Sequence, residues 1–116
     1  MKRASIILLL ITAVLPFLTT FAIGEEAERS QWQQEKCRIY GEAWEKALDF
    51  FGSDDMNYNF MAGNENFIAG GCTEQANVCP RSAQELEIAN ALTIALMNAG
   101  AASTFLPFRC AAQDQL

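Results

Sequence analysis

The clearest periodicity in the chain lies between Cys79 and Gly100. Leu86, Ala89, Leu92, Leu96 and Met97 recur at helical spacing along one broad side, and Ile88, Ala91, Ala95 and Ala99 cover the side next to it. Glu87, Asn90 and Asn98 leave only a narrow polar strip, so the segment predicts a central helix that more than one neighbour must cover. Within it, Ala91, Ala95 and Ala99 form a small-residue ridge that predicts a close helix-packing seam. Ser82 with Glu85 reads as a capping box, in which each side chain satisfies an unpaired backbone N–H, and Gly100 supplies the stop.

A second helical pattern runs from Glu25 to Phe51. Cys37, Tyr40, Trp44, Leu48 and Phe51 make one apolar stripe, with Trp32 at its head, while Glu35, Glu42, Glu45, Lys46 and Asp49 face elsewhere. Glu42 and Lys46 have the spacing of a helix-surface ion pair, and Gly52 ends the element. Ser53-Asp54-Asp55 then offers a new cap. The residues after it carry both periods: Met56, Tyr58 and Phe60 alternate as in a strand, whereas Met56, Phe60, Gly63 and Phe67 keep helical spacing. The reading is a helix, with Gly63 and Asn64 as a break point and Gly70-Gly71 as its end; a small strand pair over Met56–Phe60 is the alternative. Cys72 to Arg81 reads as a polar loop, Ala101 to Phe105 as a short turn, and Leu106 before Pro107 as extended chain. Phe105, Leu106 and Phe108 are expected to close the core.

The N-terminus adds a different signal. Met1-Lys2-Arg3 precedes an uncharged apolar run from Ala4 to Ile23, with small residues at Ala22 and Gly24, the pattern of a secretory signal peptide over residues 1–24. The alternative is an uncleaved membrane anchor, because twenty residues just cross a hydrocarbon layer of about 30 Å. Cleavage leaves residues 25–116, enough for one small domain with a single core. The fold class expected is therefore all-α: a single-domain bundle of three main helices.

Charge narrows the partners. The chain has 8 basic and 14 acidic residues, and loss of Lys2 and Arg3 with the leader leaves a formal charge of −8. That excludes nucleic acid and anionic lipid as natural partners, since both demand clustered cations; contact with a membrane is expected only if residues 4–23 are retained. Cys37, Cys72, Cys79 and Cys110 all follow the leader, and an even count in a short exported chain reads as two disulfides. Proximity in sequence favours Cys72 with Cys79, which leaves Cys37 with Cys110 as a long closure.

The chain has no histidine, which removes the serine, cysteine and zinc-hydrolase arrangements that need imidazole. No close CxxC pair supports metal binding or dithiol redox chemistry. Asp55, Asn57 and Asn59 match the first ligand positions of a calcium loop, yet Phe60 stands where the turn needs glycine and Asn66 where a bidentate glutamate belongs. Paired acids such as Asp54 with Asp55 and Glu85 with Glu87 read as solvated or capping groups. No catalytic, metal or cofactor site is expected.

What remains is a surface. Met56, Tyr58, Phe60, Met61 and Phe67 combine the residue types that adapt to protein partners. In size, cysteine number and helix content the chain resembles small periplasmic immunity proteins of secretion systems, and that likeness implies a binding role without assigning any residue. The function expected is that of an exported, periplasmic or secreted, non-enzymatic protein that binds another protein as inhibitor, immunity-like factor or adaptor. The alternative is a membrane-tethered accessory subunit of a larger complex.

Overall fold

The structure is a computed structural model; it describes the backbone of residues 2–111 and the side chains of residues 27–111. Three α-helices follow one another, α1 (Lys2–Phe51), α2 (Tyr58–Ala69) and α3 (Ala83–Asn98), with a 3-10 turn at Ser103–Phe105. The expected leader or anchor, residues 1–24, lies outside the residues whose side chains are described. Among the described residues no helix is long and apolar enough to cross a membrane. The chain divides into two units, residues 1–32 and 33–116. In the first, the described side chains from Ala27 to Trp32 are exposed, Trp32 at 41%.

The second unit holds the core. Tyr40, Trp44 and Ala47 of α1, Phe60 and Phe67 of α2, and Ile88, Leu92 and Leu96 of α3 form one buried cluster, closed by Val78, Ala101 and Leu106. The stripe expected on α1 is present, with Cys37, Leu48 and Phe51 packed at its edges. Aromatic edges join the layers: Tyr40 meets Phe67 at 5.1 Å and Phe105 at 6.2 Å, and Phe60 stacks on Phe108 at 6.2 Å. Such contacts add about 0.5–1.5 kcal/mol each beyond burial.

Each helix ends where glycine permits a left-handed residue. Gly71 and Gly100 both have positive φ, and the next residue's N–H reaches back to a carbonyl inside the helix, Cys72 to Phe67 and Ala101 to Leu96, each at 2.9 Å. This double-bonded stop satisfies carbonyls the helix leaves open. It also fixes Cys72 as the third residue past α2, itself at φ 58.

Several expectations are corrected. The disulfides join Cys37 to Cys72 and Cys79 to Cys110, with Cα separations of 5.4 and 4.7 Å. The stop at Gly71 turns Cys72 toward α1. Cys79 instead follows Val78, which pairs with Phe108 through Val78 N–H to Pro107 O at 3.0 Å and Arg109 N–H to Val78 O at 3.1 Å, so Cys110 is brought beside it. That single parallel bridge is the strand-like pairing among the described residues; Met56–Phe60 does not form one. The cap of α2 is Asn57, not Ser53, and the helix runs unbroken through Gly63 and Asn64. A Cβ on Gly63 would stand 2.9 Å from Val78 Cγ2, so this glycine admits the bridge rather than breaking the helix. Asn64 is fully buried; its amide donates to Phe60 O at 2.9 Å and its oxygen accepts from the Tyr40 hydroxyl.

Helix α3 is buried along one face only. Glu85, Ile88, Ala89, Leu92 and Leu96 point inward, while Leu86, Ile94 and Met97 are about half exposed, at 53, 52 and 53%. The alanine ridge is not a closed seam, because Ala99 is exposed and Ala91 and Ala95 are half-buried. A small three-helix core covers one side of each helix, and on α3 the covered side carries Glu85 together with Ile88, Leu92 and Leu96. On α1, Glu42 bonds Arg38 at 2.7 Å rather than Lys46, and Arg38 also bonds Glu35 at 2.6 Å. The hydrogen bond from Arg38 holds the Glu35 carboxyl below its ordinary value.

Candidate functional site

The first turn of α3 organises the region where function was expected. Ser82 accepts the Glu85 N–H at 3.1 Å, as the capping pattern requires. The reciprocal half of the expected box differs, because the Glu85 side chain serves the residue before the cap. That side chain is 1% exposed and accepts the Arg81 N–H at 2.9 Å, the Asn57 N–H at 2.9 Å and the Asn57 amide at 2.9 and 3.0 Å. Asn57 in turn caps α2 by accepting the Phe60 N–H at 2.9 Å. One buried carboxyl group thus ties the starts of two helices, where the positive ends of both dipoles favour an acidic side chain. Next to it, Gln84 donates to Phe51 O at 2.6 Å and accepts the Asp55 N–H at 2.7 Å, which fastens the end of α1 and the turn that follows.

This network supports a cleft of about 670 Å³ lined by Asn57, Tyr58, Asn59, Phe60, Asn77, Cys79 and Arg81. Of the five residues expected to make a partner surface, only Tyr58 is well exposed, at 83%. Phe60 and Phe67 are corrected to core residues, at 1 and 4% exposure, and Met56 and Met61 pack against the core as half-buried side chains. The strand-like alternation of Met56, Tyr58 and Phe60 fails because the chain is helical from Tyr58, which turns Phe60 inward and leaves Tyr58 outside. The acceptor positions of the calcium pattern do not converge either: Asn57 is committed to the cap and Asn59 lies in α2. Among the described residues no group of three or more histidine, cysteine or acidic side chains is placed to hold a metal.

Sequence reasoning missed Asn77 and Arg81 as neighbours of Tyr58. Both sit in the loop before α3, and their placement follows from the Val78 bridge and the Cys79–Cys110 disulfide, which are long-range features. The rim therefore presents a phenol ring, amides and a guanidinium on a frame held by a disulfide, a helix cap and a buried carboxyl group. Tyrosine gives large contact area at low entropic cost, and asparagine amides adapt as donor or acceptor. Comparison with protein-family models, with curated proteins and with solved structures finds no match to this chain.

Proposed function

We propose that the chain is an exported protein, periplasmic or secreted, that binds another protein as an inhibitor, immunity-like factor or adaptor and performs no catalysis itself. The observation that carries this reading is Tyr58: a large side chain, 83% exposed, on the first turn of a capped helix beside a cleft rimmed by Asn59, Asn77 and Arg81. Rigid aromatic anchors flanked by adaptable polar groups are what protein interfaces concentrate at their centres. Two disulfides support export, since such bonds persist in oxidising compartments.

The test has two arms. Intact mass of the purified protein reads the leader: a chain beginning at Glu25 agrees with export and cleavage, and one retaining Met1 in a membrane fraction favours the tethered accessory subunit. Affinity capture with the exported form is then repeated with Tyr58→Ala. A partner recovered in stoichiometric amount by the native protein and lost with the variant, whose melting is unchanged, agrees with the proposal. A partner retained equally by the variant removes Tyr58 from it.

A further inference from the structure

Gly41 stands inside α1, where glycine weakens a helix, and no contact among the described residues calls for it. Its φ is not positive, and a Cβ there would meet only Ile68 Cγ2, at an ordinary 3.7 Å. Gly63 differs, since its missing Cβ makes room for Val78. What the absent side chain at Gly41 leaves is open space. Gly41 lines two hollows of about 430 and 380 Å³ that also share Glu45 and Ile68, so they form one groove between α1 and α2. From Gln34 to Leu48 the groove follows α1 for about 20 Å at a rise of about 1.5 Å per residue.

The floor still holds apolar surface to cover. Gly41, Leu48 and Ile68 are half-buried and Ala69 is exposed. The rim is acidic. Arg38 is the one cation in the lining, and Glu35 and Glu42 already hold it. Glu45 on α1 and Glu65 on α2 are exposed and make no hydrogen bond or ion pair among the described residues. Lys46, the residue after Glu45, lies about 100° further round α1, on the side away from the groove.

We propose that this groove docks a helical segment of a partner protein, apolar on one face and carrying lysine or arginine beside that face. Charge complementarity selects the partner: open carboxylates on both walls, in a chain of formal charge −8 after the leader, attract cations and repel an acidic segment. The walls select a helix. Both are α-helices whose backbone groups bond within them, so an extended segment finds no ladder to join, whereas a helix arrives with its own backbone satisfied. Its apolar side chains fill the notch at Gly41 and cover Leu48, Ile68 and Ala69, and its cations reach Glu45 and Glu65 along apolar stems. This inference rests on the protein-binding role proposed above and adds the chemistry of the partner; it does not depend on Tyr58.

The experiment titrates the disulfide-bonded protein into a labelled leucine–lysine peptide of helical spacing, about 14 residues long to match the groove, at about 0.1 M salt. Saturable binding with a dissociation constant of about 10–100 µM is expected. Glu45→Gln with Glu65→Gln weakens it about fivefold, as loss of two exposed ion pairs does. Asp54→Asn with Glu87→Gln removes the same charge elsewhere and changes it less than about twofold. Gly41→Gln fills the notch without lowering the melting temperature and weakens binding about tenfold. No saturation up to about 1 mM protein overturns the proposal. So does equal loss in the two double variants, binding untouched by Gly41→Gln, or equal affinity for a leucine–glutamate peptide. Because the probe is synthetic, such a failure leaves a partner captured through Tyr58 in place, and an empty capture removes the Tyr58 reading without touching a positive titration.

Discussion

The two ends of α2 are fastened by opposite means. At its start, a hydrogen-bonded cluster centred on Glu85 holds Asn57, and the partners come from a segment 28 residues away. At its end, a glycine stop delivers Cys72 into a covalent bond with Cys37, while Gln33 donates to Cys72 O at 3.0 Å. The contrast shows how a small core is supplemented. The covalent end restricts the unfolded chain, whereas the polar end adds order only once both helix starts have come together. The exposed tyrosine sits at the polar end, on a frame whose groups are nearly all committed to one another.

The largest effect is expected from breaking the polar end. Glu85→Ala leaves the Arg81 N–H and the Asn57 donors without their acceptor, and should lower unfolding free energy by about 3–5 kcal/mol, as loss of a buried hydrogen-bonded acid does. A denaturant melt that shows a loss below about 1 kcal/mol would mean that the helix starts hold without it. Breaking the covalent end with Cys37→Ser and Cys72→Ser together should cost about 2–4 kcal/mol on the chain-entropy account, for a closure spanning 35 positions. An equal effect of the two changes in a reducing buffer would erase the contrast.

Between the two ends, Gly63→Ala should cost about 1–3 kcal/mol, because its methyl group meets Val78 at 2.9 Å and the bridge must shift. Thermal melting and the Val78 amide exchange rate both report it. The Tyr40–Asn64 contact sharpens the comparison by pH. Burial pushes the Tyr40 hydroxyl well above the ordinary 10.0, so its contribution is fully present below about pH 10 and is lost as pH rises beyond that. In the unfolded chain the phenol ionises there, and in the folded chain it resists. Tyr40→Phe should remove this alkaline loss, which stability curves recorded on both sides of that pH would show. The smallest effect belongs to Tyr58→Ala, within about 0.5 kcal/mol, since its side chain is exposed and lies outside the core, although the residue follows the Asn57 cap.

The local signals in this chain were legible. Ser82, Gly100 and Gly70-Gly71 marked helix limits correctly, because caps and glycine stops are decided by a few adjacent residues. The α1 stripe was legible for the same reason. The cysteine partners were not, since spacing says nothing of where a helix stop or a bridge turns a side chain. The inward face of α3 was misjudged because apolar residues on both sides of the helix leave the buried direction undecided by the local pattern. In the segment expected to carry a partner surface, the sequence grouped Phe60 and Phe67 with Tyr58, and only the rotation of α2 separates them.

The order of the disulfides has a consequence for how the chain matures. The first cysteine bonds the second and the third bonds the fourth, so the two rings follow one another without overlap. A chain threaded outward from its N-terminus presents Cys37 and Cys72 before Cys79 arrives. An oxidant that joins cysteines in order of appearance therefore produces the native pairing directly. Thiol–disulfide exchange, which corrects mispaired bonds through mixed intermediates, has nothing to repair. Under the export proposed above, order of emergence would by itself match this connectivity.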